Sequence, residues 1–469
     1  MPRTILVSNR VPPPVRPGSE QSAQAGGLSV VLRDGLERGS TWVGWSGRVV
    51  PDPAVTPTVS MSRRVAYQTL DLSPDDHAGY YAGFANAVLW PAMHLMPRLM
   101  RYRRSEAETY FRVNGRFADV IARMAQPSDR IWVHDYQLLP LPAALRVRGL
   151  SNPIGFFLHI PFPPLDVLET VPRADELVRG VLGADLIGLQ TARDAKNLID
   201  AARALGGAQP AGPDGVTVDR RAVRIGDYPV EIEPAAFSGL AVKASASDAV
   251  QRLAASLSDA LLVLGVDRLD PTKGLPERLE AFERLLEARP EWRGRASMLQ
   301  IAAASRQDVA SYRALRRQLE SIAGRINAAY SEPHWTPVRL VTRAVRRETI
   351  AGYMRLARVG LVTPVRDGMN VVAKEFVAAQ NPDDPGVLVL SRFAGAAGQL
   401  ADAMLVNPHD PDEMSDALHA ALSADLASRR ASWQRLWTQL GSRTARAWSR
   451  SFLADLDAAA GAQEGRAAA

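Results

Sequence analysis

The chain has 469 residues, 46% of them hydrophobic, and carries 56 basic against 50 acidic residues for a formal net charge of +6. That length suits two or three domains with ordinary cores, and the mild positive balance favours small anionic ligands such as phosphates. Cysteine is absent, which excludes disulfides, thiolate metal sites and a cysteine nucleophile, and suits a reducing cytoplasm.

At the N-terminus, Met1-Pro2-Arg3-Thr4 leads directly into strand-like Ile5-Leu6-Val7, so no signal peptide is expected. Strands are predicted at 4–6, 130–133, 153–159, 186–189, 261–266, 297–301, 338–341, 359–362 and 386–390, each a near-continuous Val/Ile/Leu run of the kind buried on both faces. Between them lie helix-like segments of about 10–20 residues, so the fold class is α/β with parallel sheets wound on both sides. A first domain is placed at 1–240, with a surface loop over 205–215 and a linker near Glu233-Pro234-Ala235. A second domain, 241–440, opens with a helix over 247–258. A tail, 441–469, is a helix that frays from Ala458. Two Rossmann-like domains facing each other across a cleft are expected, with ligands near the carboxyl ends of the strands. No apolar run reaches the roughly 18 residues that span a bilayer, so no membrane is expected. The basic clusters Arg98 to Arg104 and Arg343 to Arg347 are short and lack interleaved aromatics, so no nucleic acid is expected.

The strongest local signal is Val365-Arg366-Asp367-Gly368-Met369-Asn370-Val371-Val372-Ala373-Lys374-Glu375. A buried strand, a glycine-bearing turn and a helix start make an anion site, because unpaired backbone N–H groups point outward and the helix dipole favours negative charge. Glu375 then lies about one and a half turns in, placed to accept from sugar hydroxyls, or is simply solvated. Arg10 ends the first strand and either faces the cleft or lies on the surface. Gly26-Gly27 precede a helix and allow backbone approach to a charged group. His134-Asp135 and His159 follow strands; the set lacks helical H-E-x-x-H spacing, so no metal is expected. Arg268 and Lys273 share one loop and either neutralise a leaving diphosphate or pair with Asp267 and Asp270. Ser305-Arg306 puts another cation at a strand end. Tyr80, Tyr81 and Trp90 offer ring faces to a sugar or belong to an aromatic core.

Together with Trp42-Val43-Gly44-Trp45-Ser46-Gly47, Asn86 to Pro91, Lys273 to Arg278, Ala323 to Asn327 and Ser391 to Ala397, these segments run collinearly over roughly residues 4–440. The chain resembles the trehalose-6-phosphate synthase family of retaining GT-B glycosyltransferases, family 20. The resemblance implies transfer of glucose from a nucleotide diphosphate sugar, UDP-glucose first, to glucose 6-phosphate with α-retention, without a covalent intermediate, required metal or cofactor. It implies that Arg10, Tyr81, Trp90 and Arg306 hold the acceptor, that Asp135 contacts its sugar, and that Gly27 lies near the donor diphosphate. His159 is implied to meet donor glucose, Arg268 and Lys273 to clamp the diphosphate, and Asp367, Gly368, Met369, Asn370 and Val371 to bind donor glucose and phosphate. Glu375 is implied to bind ribose. Asp135, His159, Arg268 and Lys273 are thus the catalytic set.

Family members are dimers or tetramers, so a homo-oligomer is implied, and with no phosphatase segment following, the phosphate stays on the product. Departures from the family pattern are His94-Leu95-Met96, on the acceptor side, and Leu189, Pro271 and Ala304. The competing functions are a related transferase with another phosphorylated acceptor, either glycerol 3-phosphate or a cyclitol in a pseudo-glycosyl transfer, and a non-catalytic sugar-phosphate sensor.

Overall fold

A computed structural model describes residues 3–11, 32, 39–62, 65–306, 310–441 and 443–468. The chain forms two compact units. Among the described residues, the first comprises those up to Val230 together with those from Ala445 onward; the second comprises those from Glu231 to Thr444.

The first unit is built on a ten-stranded sheet. Its strands are β1 (Thr4–Arg10), β2 (Thr41–Val49), β3 (Thr58–Ser62), β4 (Val65–Leu72), β5 (Arg130–His134), β6 (Ile154–Phe157), β7 (Leu186–Leu189), β8 (Gln209–Pro210), β9 (Gly215–Val218) and β10 (Arg221–Asp227). They lie in the order β3-β4-β2-β1-β5-β6-β7-β10-β9-β8. Neighbours from β4 to β10 pair in parallel, while β3, β9 and β8 pair antiparallel at the edges. The chain winds outward on one side of β1, then returns and winds outward from β5. The reversal between β1 and β5 is the place where open α/β sheets hold ligands, beyond the carboxyl ends of the strands. The helix Ala445–Ala468 belongs to this unit and continues past Ala458, where fraying is expected from sequence. Its Phe452 stacks on Trp132 of β5, with centroids 4.9 Å apart and planes at 15°.

The second unit has a six-stranded sheet, all parallel: β11 (Leu261–Arg268), β12 (Ala296–Ala303), β13 (Val338–Val341), β14 (Val359–Val362), β15 (Val387–Ser391) and β16 (Met404–Val406). The order β13-β12-β11-β14-β15-β16 is the doubly wound dinucleotide-binding order, with its reversal between β11 and β14. Alternate side chains enter two different cores. Val263, Leu361 and Val389 face one, and Leu264, Val362 and Leu390 the other. Burial on both faces is why these strands read as unbroken apolar runs. Within Glu233-Pro234-Ala235, just past the boundary at Val230, Pro234 opens the helix Pro234–Ser245, since a proline at the first helical position sacrifices no hydrogen bond. Among the described residues no helix is long and apolar enough to cross a membrane.

Candidate active site

In the second unit the site grows from the two strands at the reversal. β11 ends at Arg268 and continues through Asp270 into the short turn Pro271–Lys273. β14 ends at Val362 and continues through Thr363 into the loop 365–370 and the helix Val371–Ala379. The two loops are joined by the Val365 N–H donating to Thr272 O at 3.0 Å. Arg278 lies wholly buried beneath them. It pairs with Asp267 at 2.9 Å and donates to Thr363 Oγ1, Gln300 Oε1 and the Lys273 carbonyl at 3.2, 3.1 and 3.2 Å. One guanidinium thus ties β11, β12 and β14 to the residue that carries the lysine. Burial raises the Asp267 pKa despite Arg278.

Lys273 Nζ donates to Asp367 Oδ2, which also accepts from Asn370 Nδ2 at 3.0 Å. An ammonium has three donors, so two remain for a second anion. Arg268 is about half exposed, 4.0 Å from Asp270. Asp270 is completely buried and accepts from the Thr272 N–H, Thr272 Oγ1 and Tyr312 OH at 3.1, 3.0 and 3.0 Å. Burial pushes its pKa up, but Arg306, Arg268 and Lys273 outweigh that and hold it at about 2. Arg306 itself is buried against Asp270 and Tyr312. The structure therefore groups Arg306 with Arg268 and Lys273.

The helix after the loop starts at Val371, directly beyond Asn370, and Asn370 is left-handed with φ +70°. A helix that starts directly after a left-handed residue has the strand–turn–helix geometry in which first-turn N–H groups lack helical partners. Glu375 is buried and accepts from Arg347 Nη2 at 2.7 Å; burial raises its pKa against that pairing. In the same unit lies a cavity of about 490 Å³ lined by Leu299, Ile301, Val341, Val345, Arg346 and Tyr353, among others.

In the first unit, Arg10 ends β1 and Asp135 follows β5, so both stand at that sheet's reversal. The Arg10 guanidinium lies 5.7 Å from the centroid of Trp45. Trp45 packs on Tyr81 and His77 with centroids 5.5 and 5.4 Å apart. Tyr80, by contrast, is fully buried and donates to Asn9 Oδ1 at 2.8 Å, so of the two tyrosines Tyr81 is the half-exposed one. Trp90 packs against His94 with ring centroids 4.2 Å apart, and His94 Nδ1 contacts the Trp90 carbonyl at 2.7 Å. In the His94-Leu95-Met96 departure, His94 thus supports Trp90. Asp135 has φ +78° and ψ 166°, a region that ordinary residues avoid. Its Oδ1 accepts from the His159 N–H at 3.2 Å. His159 Nε2 meets His134 Nδ1 at 3.0 Å, and burial lowers the His159 pKa to about 3.

Eight described residues other than glycine have positive φ, and three of them are Asp135, Arg306 and Asn370. Such strain persists where the surroundings enforce it, which is typical of ligand sites. Gly27 lies outside the described residues. Trp45, Arg278 and Asp270 are not singled out as functional by sequence. Trp45 and Arg278 stand inside the quoted motifs, but only their contacts reveal what they hold. No group of three or more His, Asp or Glu side chains placed to hold a metal occurs among the described residues.

The model of glycosyltransferase family 20 matches residues 2–458. The chain belongs to that family. It is 46% identical over 461 residues to a trehalose-6-phosphate synthase of Sinorhizobium fredii, covering 98% of this chain and 99% of that one. Its fold matches the crystal structure of a UDP-forming α,α-trehalose-phosphate synthase from Burkholderia vietnamiensis with a TM-score of 0.95 and 44% identity, over 98% of both chains. A Burkholderia xenovorans synthase in complex with glucose-6-phosphate matches with a TM-score of 0.92 and 43% identity, over 97% of this chain and 100% of that one. These relatives are GT-B enzymes, and the two parallel-sheet units of this chain are that architecture.

Proposed function

We propose that this family 20 glycosyltransferase moves glucose from UDP-glucose to glucose 6-phosphate with retention, giving α,α-trehalose 6-phosphate and UDP. The observation that carries this reading is the chemistry at the two sheet reversals. One gathers Arg268, Lys273 and a helix start, which suit a diphosphate. The other gathers Arg10 with Trp45, Tyr81, Trp90 and Asp135, which suit a phosphorylated sugar.

In the donor half, Lys273 and Arg268 neutralise the charge that grows on the diphosphate as its bond to the anomeric carbon breaks. The amides of Gly368, Met369, Asn370 and Val371 add dipoles of the same sign. Asp367, held by Lys273 and Asn370, accepts from donor hydroxyls, and Glu375 accepts from ribose. The cavity of the same unit suits the base. In the acceptor half, Arg10 takes the phosphate, Tyr81 and Trp90 give ring faces to the sugar, and Asp135 orients its hydroxyls. His159, neutral across the working range, meets donor glucose as a hydrogen-bonding group. The acceptor's anomeric oxygen forms the new bond on the face the diphosphate leaves. Its proton passes to a departing phosphate oxygen, so no protein base is consumed. A homo-oligomer working in the cytoplasm completes the proposal.

The test supplies UDP-, GDP- and ADP-glucose with glucose 6-phosphate and glycerol 3-phosphate in competition, and identifies products by mass and anomeric coupling. Disaccharide phosphate with both anomeric carbons α, formed from UDP-glucose, is expected. Donor binding without product, or glucosylglycerol phosphate as the main product, contradicts the reading.

A further inference from the structure

His134 occupies an unusual position for a histidine. It ends β5, is wholly buried, and sits opposite Phe157 of β6 in the ladder, two residues before His159. The two imidazoles meet through His134 Nδ1 and His159 Nε2 at 3.0 Å. Their centroids are 5.2 Å apart with planes only 23° from parallel. The two nitrogens share a hydrogen bond, with its proton on one of them.

Which nitrogen holds the proton follows from the other edge of His134. Its Nε2 is buried without a partner among the described residues. The Nε1 of Trp132, whose ring centroid is 4.5 Å from that of His134, is buried unpartnered as well. A buried N–H with nothing to bond is rarer and harder to accommodate than a bare acceptor. A second such N–H beside Trp132 would add like partial charge. Burial also keeps both rings neutral, pushing His134 well below its ordinary value and His159 down to about 3. Each ring therefore has one proton. With the His134 proton on Nδ1, His159 accepts at Nε2 and must carry its own proton on Nδ1. That atom has no partner among the described residues, and His159 is only half-buried.

We propose that His134 is a positioning residue that fixes the tautomer of His159, so that His159 presents an Nδ1–H donor to an oxygen of the donor sugar. The inference rests on the reading that His159 meets donor glucose. The partner ring also sets the orientation of His159, as hydrogen-bonded neighbours do for ligating histidines.

Long-range proton–nitrogen correlation spectra of the labelled full-length protein test the assignment directly. The seven histidines are assigned by single replacements. A protonated Nδ1 and a bare Nε2 on His159 are expected; a proton on His159 Nε2 overturns the proposal whatever the activity. Kinetics test the consequence. His134→Leu removes the fixing bond and is expected to lower kcat/KM for UDP-glucose about tenfold, the scale of one hydrogen bond, with the KM for glucose 6-phosphate unchanged. His134→Asn keeps an amide donor near the Nδ1 position and is expected to recover most of that loss. Equal losses in the two variants, at matched thermal stability, contradict a tautomer role. If the spectrum is as expected but His159→Ala leaves donor kinetics untouched, the donor-contact reading fails, and the proposed consequence fails with it.

Discussion

At the scale of single residues, the decisive contacts are those that hold a charge where the backbone alone would not. Arg10 lies across Gly47, whose φ of +88° and missing side chain make room for it: a Cβ there would come within 2.7 Å of Arg10 Nε and Nη2. Gly47→Ala is expected to raise the KM for glucose 6-phosphate about tenfold, the loss of part of a charge-assisted hydrogen bond, while the KM for UDP-glucose stays near that of the parent. Steady-state kinetics in both substrates check this. Asp270 makes the pH prediction. Its folded pKa of about 2 lies below the ordinary carboxylate value. A depressed acid contributes stability that is fully present above its unfolded pKa and is lost as pH falls through the folded one. The window is therefore about pH 4 down to about pH 2, and the contribution is about 2 kcal/mol. Denaturant melts across that window are expected to show a shallower acid loss for Asp270→Asn than for the parent. Most of these residues are legible in sequence as types at strand ends. Their partners are not, because Arg278 with Asp267 and Lys273 with Asp367 meet only after the strands align.

At the scale of elements, nine strands could be read directly, since a short unbroken apolar run between turn signals fits a strand covered on both faces. β2, β3, β4, β8, β9, β10 and β16 escape that search. β4 alternates buried with half-buried residues, and β10 alternates similarly, so neither forms an apolar run. The strand–turn–helix pattern around the loop 365–370 is legible in sequence, but its bracing is not. Ala396 N–H donates to Met369 O at 2.8 Å, and Gly395 N–H to Asp367 O at 3.3 Å. A Cβ on Gly395 would fall 1.8 Å from Gly368 O, a backbone atom that cannot step aside alone. Gly395→Ala is expected to displace the loop, lowering kcat/KM for UDP-glucose by about 10² or more, the scale of losing preorganised donors, and to reduce the melting temperature. Unchanged donor kinetics would show that the loop does not depend on this contact. The buried pair of Lys374 with Glu231, at 2.7 Å, fastens the same helix to the first residues of its unit. Without their contacts, the two residues read as ordinary surface charges.

At the scale of the molecule, each unit has its own reversal, and each reversal has its own kind of chemistry. Two doubly wound sheets are legible because strands and helices alternate along the chain. The membership of the last helix is not legible. Its Trp448 donates to the Tyr228 carbonyl at 2.9 Å, a contact between residues more than two hundred positions apart, whereas local composition suggests only a terminal helix that frays from Ala458. In the proposed reaction, fixed cations at the donor reversal carry the charge of the departing diphosphate. The most direct test is the rate of disaccharide phosphate formation by the Arg268→Ala/Lys273→Ala variant, compared at matched folding with the parent. Each such donor contributes about 10²–10³ in rate, so a fall of at least about 10³ is expected. A double variant that forms product at the parent's rate would contradict the account.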